Sequence, residues 1–293
     1  MRKGSTGRER PEVTDEFESA LSREWHSVRQ GTGMVDVADS RLKLELPSAK
    51  RGRYSNAQID DYGSPLSPHF LWRPPLRMEV RARASLPADP AYSPPSPAAS
   101  VTEGHKHETE QRYLLGTAGF GFWNTLLTLG GGRPRLPEAV WFFAASRPSN
   151  MVLVPDSPGW GWKAQVVHAN RWGALGAGLP TLATIGWARL TGRGEATAGA
   201  WLQRFSGASE AHLEATLNDW HDYSLDWQGD SARFFVDGLT VLEVSRPPQG
   251  PLGFVAWIDN QYAIVTPRGS LRFGTVGSAS QRLEIDRLRI VSS

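Results

Sequence analysis

The segment from Trp220 to Gly238 constrains the fold of this chain more tightly than any other. His221-Asp222-Tyr223-Ser224-Leu225-Asp226-Trp227 alternates polar and apolar side chains. Gln228-Gly229-Asp230 then breaks the run, and Phe234-Phe235-Val236 resumes it ahead of Asp237-Gly238. A period of two sends one side of an extended chain into a core and the other into water. Two such runs around a short polar break, closed by Asp-Gly, predict two antiparallel strands with another hairpin opening behind them. An all-β chain follows.

Other segments fit that frame. Gly33–Val37 and Leu42–Leu46 are short runs around Ala38-Asp39-Ser40, an expected opening hairpin. Leu76–Ala84 alternates cleanly, Gly119–Asn124 is a glycine-bearing strand, and Val140–Ala145 is continuously apolar, as a strand buried on both faces would be. Pro251–Tyr262 and Leu283–Ile290 complete the set. Residues 88–112, rich in Pro, Ser, Ala, Glu and His, are expected as a mobile loop. Residues 169–216 break the pattern, and Leu182–Leu190 with Ala198–Phe205 read as short helices of an insertion, either a cover over a sheet or a lid. Residues 1–14 are polar and expected to be disordered, so 15–293 form one domain.

Trp220-His221-Asp222-Tyr223 through Trp227, with Phe234-Phe235-Val236-Asp237-Gly238, resembles the hairpin of the concanavalin A-like sandwiches, family 16 glycoside hydrolases above all. Leu76–Pro87 is similar to that family's Gly-Arg-Phe-Glu-Ala-Arg strand, and Leu283–Ile290 to its Val-Asp-Tyr-Val-Arg-Val ending. The resemblance implies a concanavalin A-like jelly-roll sandwich of two antiparallel sheets, with a ligand on the concave face. The family also carries Glu-x-Asp-x-(x)-Glu on the strand after its Trp-rich one. Alternation aims those carboxylates into the cleft as nucleophile, tuning group and acid/base. The corresponding stretch here is Glu138-Ala139-Val140-Trp141-Phe142-Phe143-Ala144-Ala145-Ser146, which supplies Glu138 and no second carboxylate in any nearby register. The resemblance therefore implies the scaffold without the usual catalytic set.

Composition narrows the partners. With 32 basic and 30 acidic residues the net charge is +2, so no strong field for nucleic acid exists. Cysteine is absent, which removes disulfides and thiolate sites. The charged start Met1–Pro11 lacks an apolar leader core, and no run is convincing as a transmembrane span, so a soluble, cytoplasmic protein is expected. No Walker loop, dinucleotide fingerprint, Gly-x-Ser-x-Gly or His-Glu-x-x-His occurs, and no cofactor is expected. His105, His107 and Glu108 have metal-ligand types but sit in the low-complexity loop, and no metal is expected.

The candidate binding residues are therefore polar and aromatic groups on the expected sheet face: Gln58, Tyr62, Trp123, Asn124, Trp141, Asp259, Asn260, Gln261 and Tyr262. Each has a plainer reading. Gln58 to Tyr62 fit an edge strand, Asp259-Asn260 a hairpin turn, and Trp141 the core. Asp60, Asp61 and Asp259 are the candidate acids or bases. Two functions follow. One is a ligand-binding or carbohydrate-active relative of family 16. The other is an intracellular isomerase, cyclase or hydrolase acting on a small, partly apolar metabolite under a lid.

Overall fold

The computed structural model describes residues 12–63, 68–85, 114–124, 137–154, 157–168, 207–265 and 271–292. In chain order the strands are β1 (Glu12–Asp15), β2 (His26–Gln30), β3 (Met34–Val37), β4 (Leu42–Leu46), β5 (Asn56–Asp60) and β6 (Leu76–Ser85). Then come β7 (Thr117–Trp123), β8 (Glu138–Ala145), β9 (Asn150–Met151), β10 (Gly161–His168), β11 (Ser209–His212) and β12 (His221–Trp227). The last are β13 (Ser231–Val236), β14 (Leu239–Ser245), β15 (Gly253–Asp259), β16 (Gln261–Val265), β17 (Leu271–Thr275) and β18 (Gln281–Ser292).

They form two large antiparallel sheets, one 8-stranded in the order β14-β13-β12-β6-β18-β4-β3 with β1 beside β18, the other 7-stranded in the order β11-β10-β8-β7-β15-β5-β2. Neighbours distant in sequence, such as β6 between β12 and β18, carry the chain back and forth between sheets. This is the expected jelly-roll sandwich. The hairpin that organised the sequence is β12–β13, paired Tyr223↔Val236 through Trp227↔Ala232. Asp237 and Gly238 take φ of 50° and 78°, the two left-handed residues that a tight turn of matching twist requires.

The core lies between the sheets. Tyr223, Leu225 and Trp227 point into it from β12 and Phe234 from β13, all buried. Phe120 and Phe142 meet them from the opposite sheet, with ring centroids 5.1 Å apart for Phe142 and Tyr223 and 5.3 Å for Phe142 and Phe234. Edge-to-face pairs of this kind add about 0.5–1.5 kcal/mol each beyond the area they bury.

A 3-stranded sheet, β17-β16-β9, stands at one end. β8 and β15 both flank β7 and end level with its first residue, since Ala145 and Asp259 each pair with Thr117. Beyond that point their continuations meet directly, β9 against β16 in parallel, Ile264↔Asn150 and Val265↔Met151.

Three expectations change. Residues 12–14, expected in a disordered tail, form β1 with Asp15 and pair with Leu288–Val291. Residues 209–212, placed in a helical insertion, are a strand on β10, with Lys163↔His212. Asp259 and Asn260 are no hairpin turn, because β15 and β16 belong to different sheets. The helices expected at 182–190 and 198–205, the loop at 88–112 and His105, His107 and Glu108 lie outside the described residues.

Candidate functional site

Alternation divides the seven-stranded sheet. Ala118, Phe120 and Phe122 on β7, Val140, Phe142 and Ala144 on β8, and Phe254, Ala256 and Ile258 on β15 enter the main core. The residues between them face outward, and there a second apolar cluster forms: Tyr62, Phe70, Phe143, Ala145, Val255 and Trp257, with Trp123, Trp141 and Met151 packed against it half-buried. Its rings make a continuous floor. Trp123 stacks on Trp141 at 6.0 Å and 28°, and Trp141 on Phe143 at 5.6 Å and 17°. Trp141 also meets Trp257 at 5.2 Å.

Glycines make room for this floor. A Cβ on Gly119 would stand 2.9 Å from the Trp257 ring, and one on Gly253 2.3 Å from the Tyr62 ring. The close approach that glycine permits in β7 and β15 is thus used by the protein's own aromatics.

Each indole N–H in the floor is held. Trp123 Nε1 donates to the Tyr62 hydroxyl at 3.0 Å, Trp141 Nε1 to Gln165 Oε1 at 2.9 Å, and Trp257 Nε1 to Thr117 Oγ1 at 3.0 Å. Behind these acceptors lie buried acids. Gln165 donates to Glu210 at 2.8 Å, and Lys163 pairs with the same carboxylate at 2.6 Å and also bonds the Pro158 carbonyl. Thr117 donates to Asp259 at 2.8 Å, and Gln58 donates to Asp60 at 2.8 Å. Burial raises the Asp60 pKa, against the bonds from Gln58 and the Gly63 amide. Burial also pushes Asp259 up to about 6, against bonds from Thr117, the Gln261 amide and Tyr54. His212 is pulled down by desolvation and by the Lys163 charge.

The sheet brings together Gln58, Asp60, Tyr62, Trp123 and Trp141, with Asp259 at the end of the same face. Gln58 and Asp60 are not on an edge strand, since β5 lies between β15 and β2. Other candidates stand elsewhere. Asp61 binds Trp72 Nε1 and the Phe254 amide, and burial lifts it to about 7, so its oxygens serve the chain rather than the floor. Asn124 receives the Glu138 amide at 2.9 Å and ties the end of β7 to β8. Asn260, fully buried, donates to the carbonyls of Arg53 and Val276 and accepts from the Ser55 amide at 2.9 Å, a corner lock with no atom left for a ligand. Gln261 and Tyr262 belong to β16 in the small sheet, where Tyr262 covers Gly274.

Sequence reasoning missed Lys163, Gln165 and Glu210. The alternation Gly161-Trp162-Lys163-Ala164-Gln165-Val166 was the available signal for the first two. Glu210 had none, as its strand is short and follows a helix-like stretch.

Three carboxylates face outward from this sheet among the described residues: Asp60, Asp259 and Glu210. Asp60 pairs with Val255, four residues before Asp259 on β15. With about 3.3 Å per residue and about 4.8 Å per strand, those two stand roughly 14 Å apart, and Glu210, five strands from Asp60, roughly 24 Å away. On β8 the outward positions are Ala139, Trp141, Phe143 and Ala145. Glu138 has the opposite parity and sits 3.5 Å from His168. Among the described residues no three His, Asp or Glu are grouped to hold a metal, and no helix is long and apolar enough to cross a membrane.

No protein-family model matches the sequence, and no curated protein does. Solved structures give distant likenesses. The β-glucanase of Bacillus licheniformis is 10% identical, covering 99% of this chain and 100% of that one, with a TM-score of 0.49. A β-1,3-1,4-glucanase (lichenase) from a mouse hindgut metagenome is 12% identical over 96% and 99%, TM-score 0.49. The laminarinase of Flavobacterium sp. UMI-01 is 11% identical over 96% and 99%, TM-score 0.46. Scores and identities this low carry no argument about activity, and the fold rests on the chain's own strand order and register.

Proposed function

We propose that the protein binds carbohydrate on the outer face of the seven-stranded sheet, through the aromatic floor, without acting as a retaining hydrolase of the family 16 kind. The observation that carries this reading is the stacked row Trp123–Trp141–Phe143, half-exposed at its two tryptophans and pinned through both indole N–H groups. A pinned row of aromatic side chains presents an apolar surface to the C–H side of a sugar, and the polar groups beside it suit the hydroxyl edge. A paired-carboxylate hydrolysis needs its two acids about 5–9.5 Å apart, and the outward acids of the described sheet stand well beyond that.

Trp123→Ala and Trp141→Ala test the proposal. A glycan array probed with the wild-type protein should give a restricted set of signals that both variants lose while retaining the native far-UV spectrum. Uniformly flat arrays with folded wild-type protein would sink it.

The second reading, an enzyme on a small and partly apolar metabolite, has one observation in its favour. Asp259 is buried with its pKa raised to about 6, within the range of a general acid or base. A lipophilic molecule released from the purified protein and seen by mass spectrometry would support this reading. Turnover that survived Asp259→Asn would take that residue out of it.

A further inference from the structure

The hydrogen bonds around Tyr62 are lopsided. Its hydroxyl oxygen accepts Trp123 Nε1 at 3.0 Å and Gln58 Nε2 at 3.3 Å, which uses its acceptor capacity. No group among the described residues accepts the proton of that same hydroxyl. Tyr62 is 3% exposed, and its ring is fixed on Gly253 and against Phe70 at 5.6 Å, so it has no freedom to find another partner. A buried donor without an acceptor is costly, and whatever supplies one is bound more tightly for it.

Gln58 is lopsided in the complementary sense. Its amide nitrogen is turned to the Asp60 carboxylate at 2.8 Å, and the other Asp60 oxygen holds the Gly63 amide at 2.9 Å. The carboxylate decides the amide orientation, because it accepts and cannot donate. Both Nε2 hydrogens are then spent, on Asp60 and on Tyr62, and Oε1 is left as an acceptor on a half-buried side chain beside Trp123.

We propose that Tyr62 and Gln58 form a reading site for a single neutral sugar hydroxyl at the margin of the Trp123 ring. The ligand oxygen accepts the Tyr62 proton, and its own proton goes to Gln58 Oε1. A hydroxyl meets both demands. A methyl ether lacks the proton for Gln58, and a carboxylate lacks it too while facing the buried acid Asp60. The ligand class is therefore a hexose chain with that one hydroxyl free, and the site discriminates against the chain blocked as an ether at that position. The inference rests on the carbohydrate reading above.

An array of neutral hexose oligosaccharides and their singly O-methylated forms tests it, followed by titration calorimetry on the strongest binder. Wild-type protein should bind the free chains, with the form methylated at one particular position at least tenfold weaker, and Tyr62→Phe and Gln58→Met should each raise Kd about tenfold. If Tyr62→Phe fails to fold, Gln58→Met gives the result. Equal binding of the free chain and every singly O-methylated form overturns the inference. So does unchanged affinity in both variants when Trp123→Ala has abolished binding, and the floor reading then survives. A flat array overturns both.

Discussion

The two sheets turn opposite kinds of surface outward. On the eight-stranded sheet, alternation exposes a lattice of arginines and acids: Arg77 to Asp226 at 2.7 Å, Arg287 to Asp222 at 3.0 Å, Arg289 to Glu12 at 3.5 Å. Arg287 and Asp222 are 51% and 59% exposed. Trp220 lies among the guanidinium groups of Arg41, Arg81 and Arg83, the nearest 4.8 Å from its ring centre. On the seven-stranded sheet the outward charges are few and enclosed, and Lys163 and Glu210 are 3% and 0% exposed. The same rule of alternation thus yields a face finished by water and a face finished by side chains. Ion pairs in water contribute little, whereas an enclosed pair costs dearly when half of it is taken away.

That contrast sets the largest expected effect. Glu210→Ala leaves the buried Lys163 charge with only the Pro158 carbonyl and the Gln165 amide without its acceptor, and should lower unfolding free energy by about 3–5 kcal/mol in urea titrations. Asp222→Ala on the other face should cost under about 1 kcal/mol. Equal losses would erase the distinction between the faces.

Gly253→Ala comes next. Its new methyl meets the Tyr62 ring, and the strain should cost about 1–3 kcal/mol, with Tyr62 and Trp123 displaced together in near-UV circular dichroism. A neutral result would mean that the aromatic floor is not seated on its glycines.

The dependence on pH should differ in sign between two carboxyls. Asp259 keeps its proton to about pH 6 in the fold but loses it near 3.9 when unfolded. Between those values the native state binds the extra proton, so its contribution to stability falls as pH rises from about 4 to about 6 and is level above. Asp237 is the reverse. Partial burial raises it, but the His221 and Asp222 hydrogen bonds and the His221 charge outweigh that and leave it lowered. Its contribution is present above about pH 3.9 and lost in more acid solution. Urea titrations from pH 4 to pH 7 should show Asp259→Asn gaining on the wild type as pH rises through 4–6. A constant difference would refute the assignment.

The smallest effect concerns salt. At about 1 M the screening length shrinks to about 3 Å, so the slight cost of Asp222→Ala should vanish while that of Glu210→Ala persists.

Much of the fold was legible because alternation is local. Leu76–Ala84, the Trp220–Gly238 hairpin and Leu283–Ile290 each carry their inward and outward residues in the string itself, and they became β6, β12–β13 and β18. The site was legible only in part, because neighbours in sequence are not neighbours on a face. Asp60 and Asp61 point to different surroundings for that reason alone. Asp259, Asn260, Gln261 and Tyr262 looked like one constellation, yet the chain changes sheets at Asn260 and scatters them. The Lys163–Glu210 pair joins residues 47 positions apart through a strand of four residues, and neither length nor composition announced it.

The parallel contact of β9 with β16 has a mechanical side. Where β7 stops, its two flanking strands close from two strand spacings to one, from about 9.6 Å to about 4.8 Å, like the legs of dividers brought together at the hinge. The legs carry Trp141 and Phe143 on one side and Trp257 on the other. Between the legs, β7 is paired to both at the level of these rings, so the ladder fixes the spread of the legs and the hinge closes it at the end.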